Sequence, residues 1–230
     1  MPTAFIQQAR MSNSPAARAL TSPAARALDG IVLASASPRR AELLRSIGFP
    51  FTVHASNVPE SPLPNESGTA FARRAAREKA LAVAAERRGE WILAADTIVL
   101  IDGEILGKPV DAGVARGMLE LLSGREHRVV TAFVLVRPDG TVAEDVAVET
   151  VVEFRRLTGA EIDAYIDTGE PRDKAGAYAI QGGAAGFVSR VGGSYTNVIG
   201  LPMDELRAAF ERHGLVARSD DRGALLDRER

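Results

Sequence analysis

Groups suited to bind phosphate are concentrated in one short segment near residue 35. Ala34–Arg40 reads ASASPRR and directly follows a short apolar run. A strand that passes through a tight loop into a helix places free amides at the helix N-terminus, where phosphate oxygens bind. The hydroxyl of Ser35 and the guanidinium groups of Arg39 and Arg40 would add donors. Taken alone, the segment is more typical of a capped helix with two solvated arginines.

Two carboxylates are candidates for holding a divalent cation or moving a proton. Asp96 directly follows the apolar run Trp91–Ala95, and ligands of α/β sheets gather at the carboxyl ends of strands. We therefore predict that Asp96 is a metal ligand or a general base. Glu60, in a proline-rich loop, would be a second oxygen ligand for a hard cation. The alternatives are a turn aspartate before a hairpin and a solvated loop glutamate.

Lysine is rare in a chain that otherwise uses arginine for its positive charges. Of the 28 basic residues, only Lys79, Lys108 and Lys174 are lysines. They are candidates for places where a compact ammonium does what a planar guanidinium cannot, and chance is the alternative. Lys79 is expected on the flank of the apolar stripe of a long helix, where a lysine can also simply extend along the core edge.

A glutamine beside two glycines is the candidate for recognising a flat ligand. Ile180–Gly183 reads IQGG. The amide of Gln181 presents both a donor and an acceptor, which suits the hydrogen-bonding edge of a nucleobase. The alternative is an ordinary glycine-rich turn.

The elements that must position these groups alternate between strands and helices. The predicted strands are Ile31–Ala34, Phe51–His54, Trp91–Ala95, Ile98–Ile101, Glu104–Leu106, Arg128–Val136 and Val142–Phe154, and the predicted helices are Pro38–Ile47, Thr69–Arg88, Asp111–Leu122, Thr158–Asp167 and Pro202–His213. Glu60–Gly68 is expected to be a loop, and Gly182–Gly193 is expected to be irregular. This order, with one long hairpin, indicates an α/β fold with a mixed sheet.

Composition and missing motifs exclude several classes of protein. A net charge of −2 disfavours binding to nucleic acid or to a membrane surface. The chain has no cysteine, which excludes a disulfide scaffold, a thiolate zinc site and a cysteine nucleophile. Three well-separated histidines disfavour a histidine metal site, and no apolar stretch reaches the roughly 18–20 residues that span a bilayer. Phosphate-loop, dinucleotide-binding, nucleophile-elbow and zinc-protease motifs are absent.

Both ends of the chain differ from the part between them. Residues 1–29 contain the sequence SPAARAL twice, at Ser14–Leu20 and Ser22–Leu28, in a basic stretch rich in alanine and serine. A transit peptide can have this composition, but we expect a disordered or loosely helical extension. A charged C-terminal tail is predicted at residues 215–230.

Five of these segments occur in the order typical of one known family. They are IVLASASPRR at 31–40, REKA at 77–80, ADTIV at 95–99, GKP at 107–109 and KAGAYAIQG at 174–182. Together they resemble the Maf family, the septum-formation-inhibitor-like nucleoside triphosphate pyrophosphatases, from about Ile31 to His213. The resemblance implies that residues 30–214 form two lobes around a deep cleft. The implied fold is α/β, with a long, mixed, twisted sheet and flanking helices, similar to that of inosine triphosphate pyrophosphatases.

The resemblance also implies an activity, a cofactor and a set of site residues. The implied reaction is hydrolysis of a nucleoside triphosphate to the monophosphate and pyrophosphate with a divalent cation, Mg²⁺ or Mn²⁺. The motifs ADTIV and AIQG look like the branch that acts on dTTP and UTP. The family pattern falls on Ser35, Arg39, Arg40, Glu60, Lys79, Asp96, Lys108 and Gln181, and its specificity positions match Arg40, Thr97 and Gln181.

Each of these residues then has an expected role. Arg39, Arg40, Lys79 and Lys108 would clamp the phosphates with the help of Ser35 and the helix amides. Asp96, assisted by Glu60, would hold the metal or take a proton from the attacking water. Thr97 and Gln181 would read the pyrimidine.

Partners and location follow from the same resemblance. We expect a cytoplasmic enzyme whose partner is its nucleoside triphosphate substrate, with neither nucleic acid nor membrane involved. Homodimers are frequent in the family. The alternative is a regulatory protein of septum formation and cell division that senses nucleotides without significant turnover.

Overall fold

A seven-stranded mixed sheet forms the centre of the computed structural model, which describes residues 30–215. The strands are β1 (Ile31–Leu33), β2 (Phe51–Val53), β3 (Ile92–Ile101), β4 (Glu104–Leu106), β5 (Glu126–Val136), β6 (Val142–Phe154) and β7 (Val188–Gly192). Their order is β2-β1-β3-β5-β6-β7, and β4 pairs with β3 outside this path. Because β1 is parallel to β2 and β3 while the other pairs are antiparallel, the predicted mixed α/β fold is confirmed.

Six α-helices accompany the sheet within residues 30–215. They are α1 (Pro38–Ser46), α2 (Gly68–Glu86), α3 (Ala112–Leu122), α4 (Gly159–Asp167), α5 (Tyr195–Ile199) and α6 (Met203–Arg212). The side chains of Ser67, Asp111 and Thr158 each accept a hydrogen bond from the third residue of the helix they precede, which fixes three of the starts. Within the described range, no helix combines the length and apolarity that crossing a membrane requires.

The central strand β3 is covered on both faces, which explains its nearly continuous apolar sequence. Ile92 and Ala94 pack in the cluster that contains the buried face of α2. Leu93 and Ala95 point the other way, into the cluster that contains α1 and α6. Successive side chains of a strand alternate between faces, so neighbouring residues further along β3 also reach opposite sides of the sheet.

Two local predictions are wrong. Asp96 does not end a strand, because the two apolar runs around it belong to the single strand β3. Polar side chains interrupt the apolar pattern there without interrupting the backbone ladder to β5. The stretch Gly182–Gly193 is also not wholly irregular, since it contains β7. That edge strand is largely exposed and therefore lacks an apolar pattern. The expected extension at residues 1–29 lies outside the described residues, as does the expected tail apart from Leu215.

Candidate functional site

The cleft opens where β1 ends and β3 continues. β1 pairs with β3 at Ile92 and Leu93, and β4 joins the same edge of β3 only from Val99 onward. The edge of β3 between these positions has no strand partner. A cleft of about 310 Å³, lined by Asp96 and Thr97 among others, lies at this gap. Asp96 therefore lies beyond the carboxyl end of β1, although it is in the middle of its own strand.

All the site residues expected from the sequence line this one cleft. They are Ser35, Arg39, Arg40, Glu60, Lys79, Asp96, Thr97, Lys108 and Gln181. The remaining lysine, Lys174, lines it too, so the three lysines of the chain all face the same cavity. Five cationic and three carboxylate side chains line the cleft, which gives it a net positive formal charge.

Lys79 joins the two predicted carboxylates. Its Nζ lies 2.6 Å from Oδ1 of Asp96 and 2.7 Å from Oε1 of Glu60. Lys79 and Asp96 are only 6% and 5% exposed, so each charge depends on its partner to offset the cost of leaving water. The second oxygen of each carboxylate accepts no hydrogen bond from the described residues.

The expectation that Lys79 lies on the flank of the apolar stripe of α2 is wrong. It lies within the buried stripe, one or two turns from Ala72, Ala75 and Ala76. Four of the eight buried residues of this stripe are alanines, and Phe71 lies at its edge. Because alanines allow close approach of helix and sheet, the lysine is directed at β3 rather than at solvent.

Glu60 is kept ionised by its surroundings. Burial by itself raises the pKa of the Glu60 carboxyl, but the hydrogen bond and charge of Lys79 act in the opposite direction. The charges of Lys108 and Arg40 add to that effect, so the pKa is lowered overall. The loop before α2 therefore presents an anion to the cleft at neutral pH.

Arg40 is held by protein groups on three sides. Its Nη1 and Nη2 donate to Ser35 Oγ and Thr97 Oγ1, and its Nε donates to the carbonyl of Gly200, each at 3.0 Å. Burial lowers the pKa of the Arg40 guanidinium, but an arginine stays charged at neutral pH. Three of its five N–H groups are engaged in these bonds, which fix the guanidinium in the wall of the cleft.

The hydroxyl of Thr97 belongs to a chain of hydrogen bonds on the face of the sheet opposite Asp96. Thr131 Oγ1 donates to the carbonyl of Asn197 at 2.8 Å, which uses its single hydrogen. The 2.9 Å bond between the two threonine hydroxyls is therefore donated by Thr97, which also accepts from Arg40. Thr97 thus has no hydroxyl hydrogen left for a nucleobase and can only accept.

Several other groups of the cleft keep N–H or O–H donors that no residue in the described range accepts from. Lys108 is exposed and forms no ion pair with residues 30–215. Arg39 contacts the carbonyl of Ile199 through Nε at 3.4 Å and pairs with none of the described carboxylates. Ser35 Oγ accepts from Arg40 and from the Ser37 amide, which leaves its hydroxyl hydrogen without an acceptor in the described part of the chain.

The start of α1 is also open. Ser37 occupies the N-cap position but makes no side-chain capping bond, so this helix is not capped in the ordinary way. The backbone amides of Arg39 and Arg40 have no protein acceptor among the described residues. Unpaired amides at a helix N-terminus attract phosphate oxygens.

A close-packed loop also lines the cleft. Gly176 has φ 68°, its N–H donates to the Gly107 carbonyl at 3.0 Å, and a Cβ there would lie 2.9 Å from Val99. Only glycine fits this approach, which brings the loop against β3 and next to Lys108. Further along, the side chain of Gln181 is exposed and makes no hydrogen bond with the described residues, so its amide is available to a ligand.

Several lining groups were not singled out by sequence reasoning. Ser56, Asp173 and Tyr178 line the cleft, and the carbonyls of Ile199 and Gly200 orient the two arginines. Backbone carbonyls carry no residue-type signature, so nothing in the sequence identified them. Asp173 forms an ion pair with Lys174 and could have been noticed as the acid beside that lysine.

The fold and this cleft define an α/β protein with a positively charged site for a polyanion and an adjoining amide for a flat group. A family model described as Maf-like protein matches residues 30–213. The chain therefore belongs to the Maf-like family, and the resemblance seen in the sequence is confirmed.

Curated relatives match over nearly their whole length. A Geobacter sulfurreducens protein named dTTP/UTP pyrophosphatase is 54% identical over 188 residues, which cover 81% of this chain and 97% of the relative. A Myxococcus xanthus protein of the same name is 50% identical over 185 residues, covering 80% and 93%. A solved Mycobacterium abscessus structure, titled nucleoside-triphosphatase / dITP/XTP pyrophosphatase, covers 80% of this chain and 95% of its own, with a TM-score of 0.38 and 18% identity. That structural similarity is too low to bear on function.

Proposed function

We propose that this protein hydrolyses dTTP and UTP to the nucleoside monophosphate and pyrophosphate. The observation that carries the proposal is the single cleft in which Lys79 joins Asp96 and Glu60 beside Arg39 and Lys108. The names of relatives that are 50% and 54% identical over the aligned residues support the two substrates. We assign the activity to residues 30–214, with the two lobes expected from the sequence on either side of the cleft.

The cations of the cleft would bind the triphosphate and stabilise the leaving group. Cleavage between the α and β phosphates places negative charge on pyrophosphate, and fixed positive groups aimed at that charge lower the barrier. Lys108, the remaining N–H groups of Arg39, the Ser35 hydroxyl and the open amides of α1 are donors that no described residue accepts from, and they suit phosphate oxygens. Arg40 would contribute its charge and its remaining N–H groups from a fixed position.

The carboxylates fit a divalent cation that binds together with the substrate. Asp96 and Glu60 each retain an oxygen that accepts no bond from the described residues, and hard cations prefer such ligands. Residues 30–215 contain no group of three or more acidic or histidine side chains able to hold a metal. Mg²⁺ is commonly held by one or two carboxylates plus substrate phosphates, so two carboxylates suffice. When bound, the cation supplies positive charge to the phosphate oxygens.

Asp96, assisted by Glu60, would hold this cation or accept the proton of the attacking water. Lys79 keeps both carboxylates at fixed positions, since its ammonium contacts one oxygen of each. No covalent intermediate is required, because water can attack the α-phosphorus directly while cations hold the pyrophosphate.

The amide of Gln181 would recognise the pyrimidine. The unbonded amide can donate to one atom of the base edge and accept from another, which thymine and uracil both offer. Thr97 would contribute as an acceptor only, since its hydrogen is donated to Thr131.

A pyrophosphate-release assay tests the proposal. The protein is incubated with dTTP, UTP and a panel of other triphosphates, with Mg²⁺ or Mn²⁺ and in their absence. We expect metal-dependent release that is fastest with dTTP and UTP. Tight nucleotide binding without release would contradict the proposal and favour a nucleotide-sensing regulator.

Assembly and location are parts of the same proposal. The family resemblance supports a homodimer, which light scattering on the purified protein would test. The nucleotide substrates support a cytoplasmic location.

A further inference from the structure

The loop that carries Gln181 is tied down by two residues outside the cleft-lining set. The Ala179 amide donates to the hydroxyl of Tyr165 at 3.0 Å, and the Gly183 amide donates to Oε2 of Glu170 at 3.0 Å. These two anchors lie two residues before and two residues after Gln181. The backbone on both sides of the glutamine is therefore fixed, while its side chain makes no bond with the described residues.

The two anchoring side chains also hold each other. The hydroxyl of Tyr165 donates to Oε1 of Glu170 at 2.9 Å. Glu170 thus accepts two hydrogen bonds, one through each oxygen, and the tyrosine oxygen both donates and accepts. We call this hydrogen-bonded pair of Tyr165 and Glu170 the brace. Tyr165 is 4% exposed and its ring packs edge-on against Phe187, so the brace is fixed to the core. Burial raises the pKa of the Tyr165 phenol, which therefore stays protonated and able to donate.

The loop also passes close to the Glu170 carboxylate at a glycine. A Cβ on Gly182 would lie 2.0 Å from Oε1 of Glu170. The φ of this residue is −120°, so its backbone conformation does not exclude other residues. A side chain at position 182 would displace the Glu170 carboxylate from its bonds to Tyr165 and Gly183, which ties the residue after Gln181 to this acid.

We propose, on the basis of the function proposed above, that Tyr165 and Glu170 are positioning residues that hold Gln181 in its base-binding pose and thereby set the preference for dTTP and UTP. Neither residue needs to touch the nucleotide. Their action is on affinity and discrimination, because the bonds they make fix the recognition loop and leave the charged groups at Lys79 and Asp96 untouched.

A graded series of variants tests this brace. Glu170→Ala removes both acceptors, whereas Glu170→Gln keeps an acceptor for one partner and Tyr165→Phe removes the hydroxyl alone. We expect KM for dTTP to rise about tenfold in Glu170→Ala, and less in the other two, with kcat changed less than about threefold. The ratio of kcat/KM for dTTP over a purine triphosphate should fall in the same order.

A double-mutant cycle with Gln181→Ala separates positioning from a general structural effect. Once the glutamine amide is absent, the brace has nothing to position, so Glu170→Ala should change KM by less than about twofold in that background. Equal effects of Glu170→Ala with and without Gln181 would overturn the proposal. A loss confined to kcat would overturn it as well.

Two matched controls and a binding measurement complete the test. Glu120→Ala removes a carboxylate on α3 that pairs, within residues 30–215, only with Arg116, and Tyr195→Phe removes an exposed hydroxyl; both should leave KM unchanged. The same cycle is measured as Kd for dTTP by calorimetry with Ca²⁺ as the cation. If the wild type binds dTTP without turnover, the proposed function fails. Non-additive effects of Glu170→Ala and Gln181→Ala on Kd would in that case still support the brace. Absence of any nucleotide binding would overturn both.

Discussion

The two ends of the cleft are built in opposite ways. At the charged end, Lys79 and Asp96 are buried, belong to a helix and to the central strand, and bond to each other. At the end proposed for base recognition, which we call the recognition end, Gln181 is exposed, belongs to a loop, and bonds to none of the described residues. There the backbone is held and the functional side chain is left free.

This difference matches the task proposed for each end. Charge that develops during the reaction is stabilised best by groups that are already fixed. A nucleobase interacts similarly before and during the reaction, so its contacts contribute mainly to binding. We therefore expect substitutions at the charged end to lower kcat and substitutions at the recognition end to raise KM.

The largest effect is expected for Asp96→Asn. This variant keeps the shape of the side chain but removes the charge that Lys79 contacts and that a cation or proton requires. We expect kcat to fall at least ~10²-fold. Steady-state pyrophosphate release measures it. Asp102→Asn, the same exchange at an exposed turn of the β3–β4 hairpin, is the control and should retain activity.

The metal dependence of the same variant separates the two roles left open for Asp96. Loss of a metal ligand raises the cation concentration needed for half-maximal rate, whereas loss of a base lowers the rate at saturating cation. Near-normal turnover in folded Asp96→Asn would show that the carboxylate has neither role.

A smaller loss is expected for Lys79→Arg. The charge is kept, but a planar guanidinium cannot replace a compact ammonium that contacts Asp96 at 2.6 Å and Glu60 at 2.7 Å in a buried position. We expect kcat to fall about 10-fold or more, with a loss of about 1–3 kcal/mol in the free energy of unfolding from overpacking. Arg73→Lys, the reverse exchange on the exposed face of α2, should change neither quantity. Unchanged kinetics in Lys79→Arg would mean that the choice of lysine has no functional basis.

The smallest effect is on the free energy of unfolding and is absent at neutral pH. It concerns a buried histidine that contacts the chain close to the recognition end. His127 is 2% exposed, its Nε2 is 2.8 Å from the Tyr178 hydroxyl, and burial lowers its pKa to about 4. Below about pH 6.5 the unfolded chain binds a proton that the folded chain does not bind until about pH 4. The free energy of unfolding therefore falls through this window, by about 2 kcal/mol at pH 5.

Denaturant unfolding of the wild type and of His127→Gln at pH 7 and pH 5 measures this contribution. The variant should lose less stability on acidification, because it has no imidazole to protonate. The same pH dependence for the wild type and for His127→Gln would contradict the buried, neutral state of His127.

At the charged end the lowered pKa of Glu60 has a different consequence. The stabilising contribution of the Glu60 carboxylate is lost only as the pH falls below 4.5, through that lowered pKa.

The sequence was sufficient to predict the order of elements because local patterns carry it. The helices that begin at Asp111 and Thr158 and the long hairpin of β5 and β6 all appear where the sequence predicts them, to within a residue or two. The sequence predicts Asp96 at a strand end because a charge normally interrupts an apolar run. In the structure a lysine on another element offsets that charge, and such a partner is invisible to local patterns.

The positions of the candidate site residues were predictable from motifs, whereas their bonding was not. The three lysines, suggested by their rarity, all line the cleft. By contrast, nothing local indicates that Thr97 donates to Thr131 or that Glu170 reaches the loop of Gln181. Those contacts depend on the register of β3 with β5 and on chain crossings that only the tertiary structure specifies.

The most direct test of the central claim is the fate of oxygen from water. Wild-type protein is incubated with dTTP and a divalent cation in ¹⁸O-labelled water, and the products are analysed by mass spectrometry. Attack at the α-phosphorus predicts labelled monophosphate and unlabelled pyrophosphate. Label in the pyrophosphate, or formation of the diphosphate and inorganic phosphate, would contradict the proposed reaction.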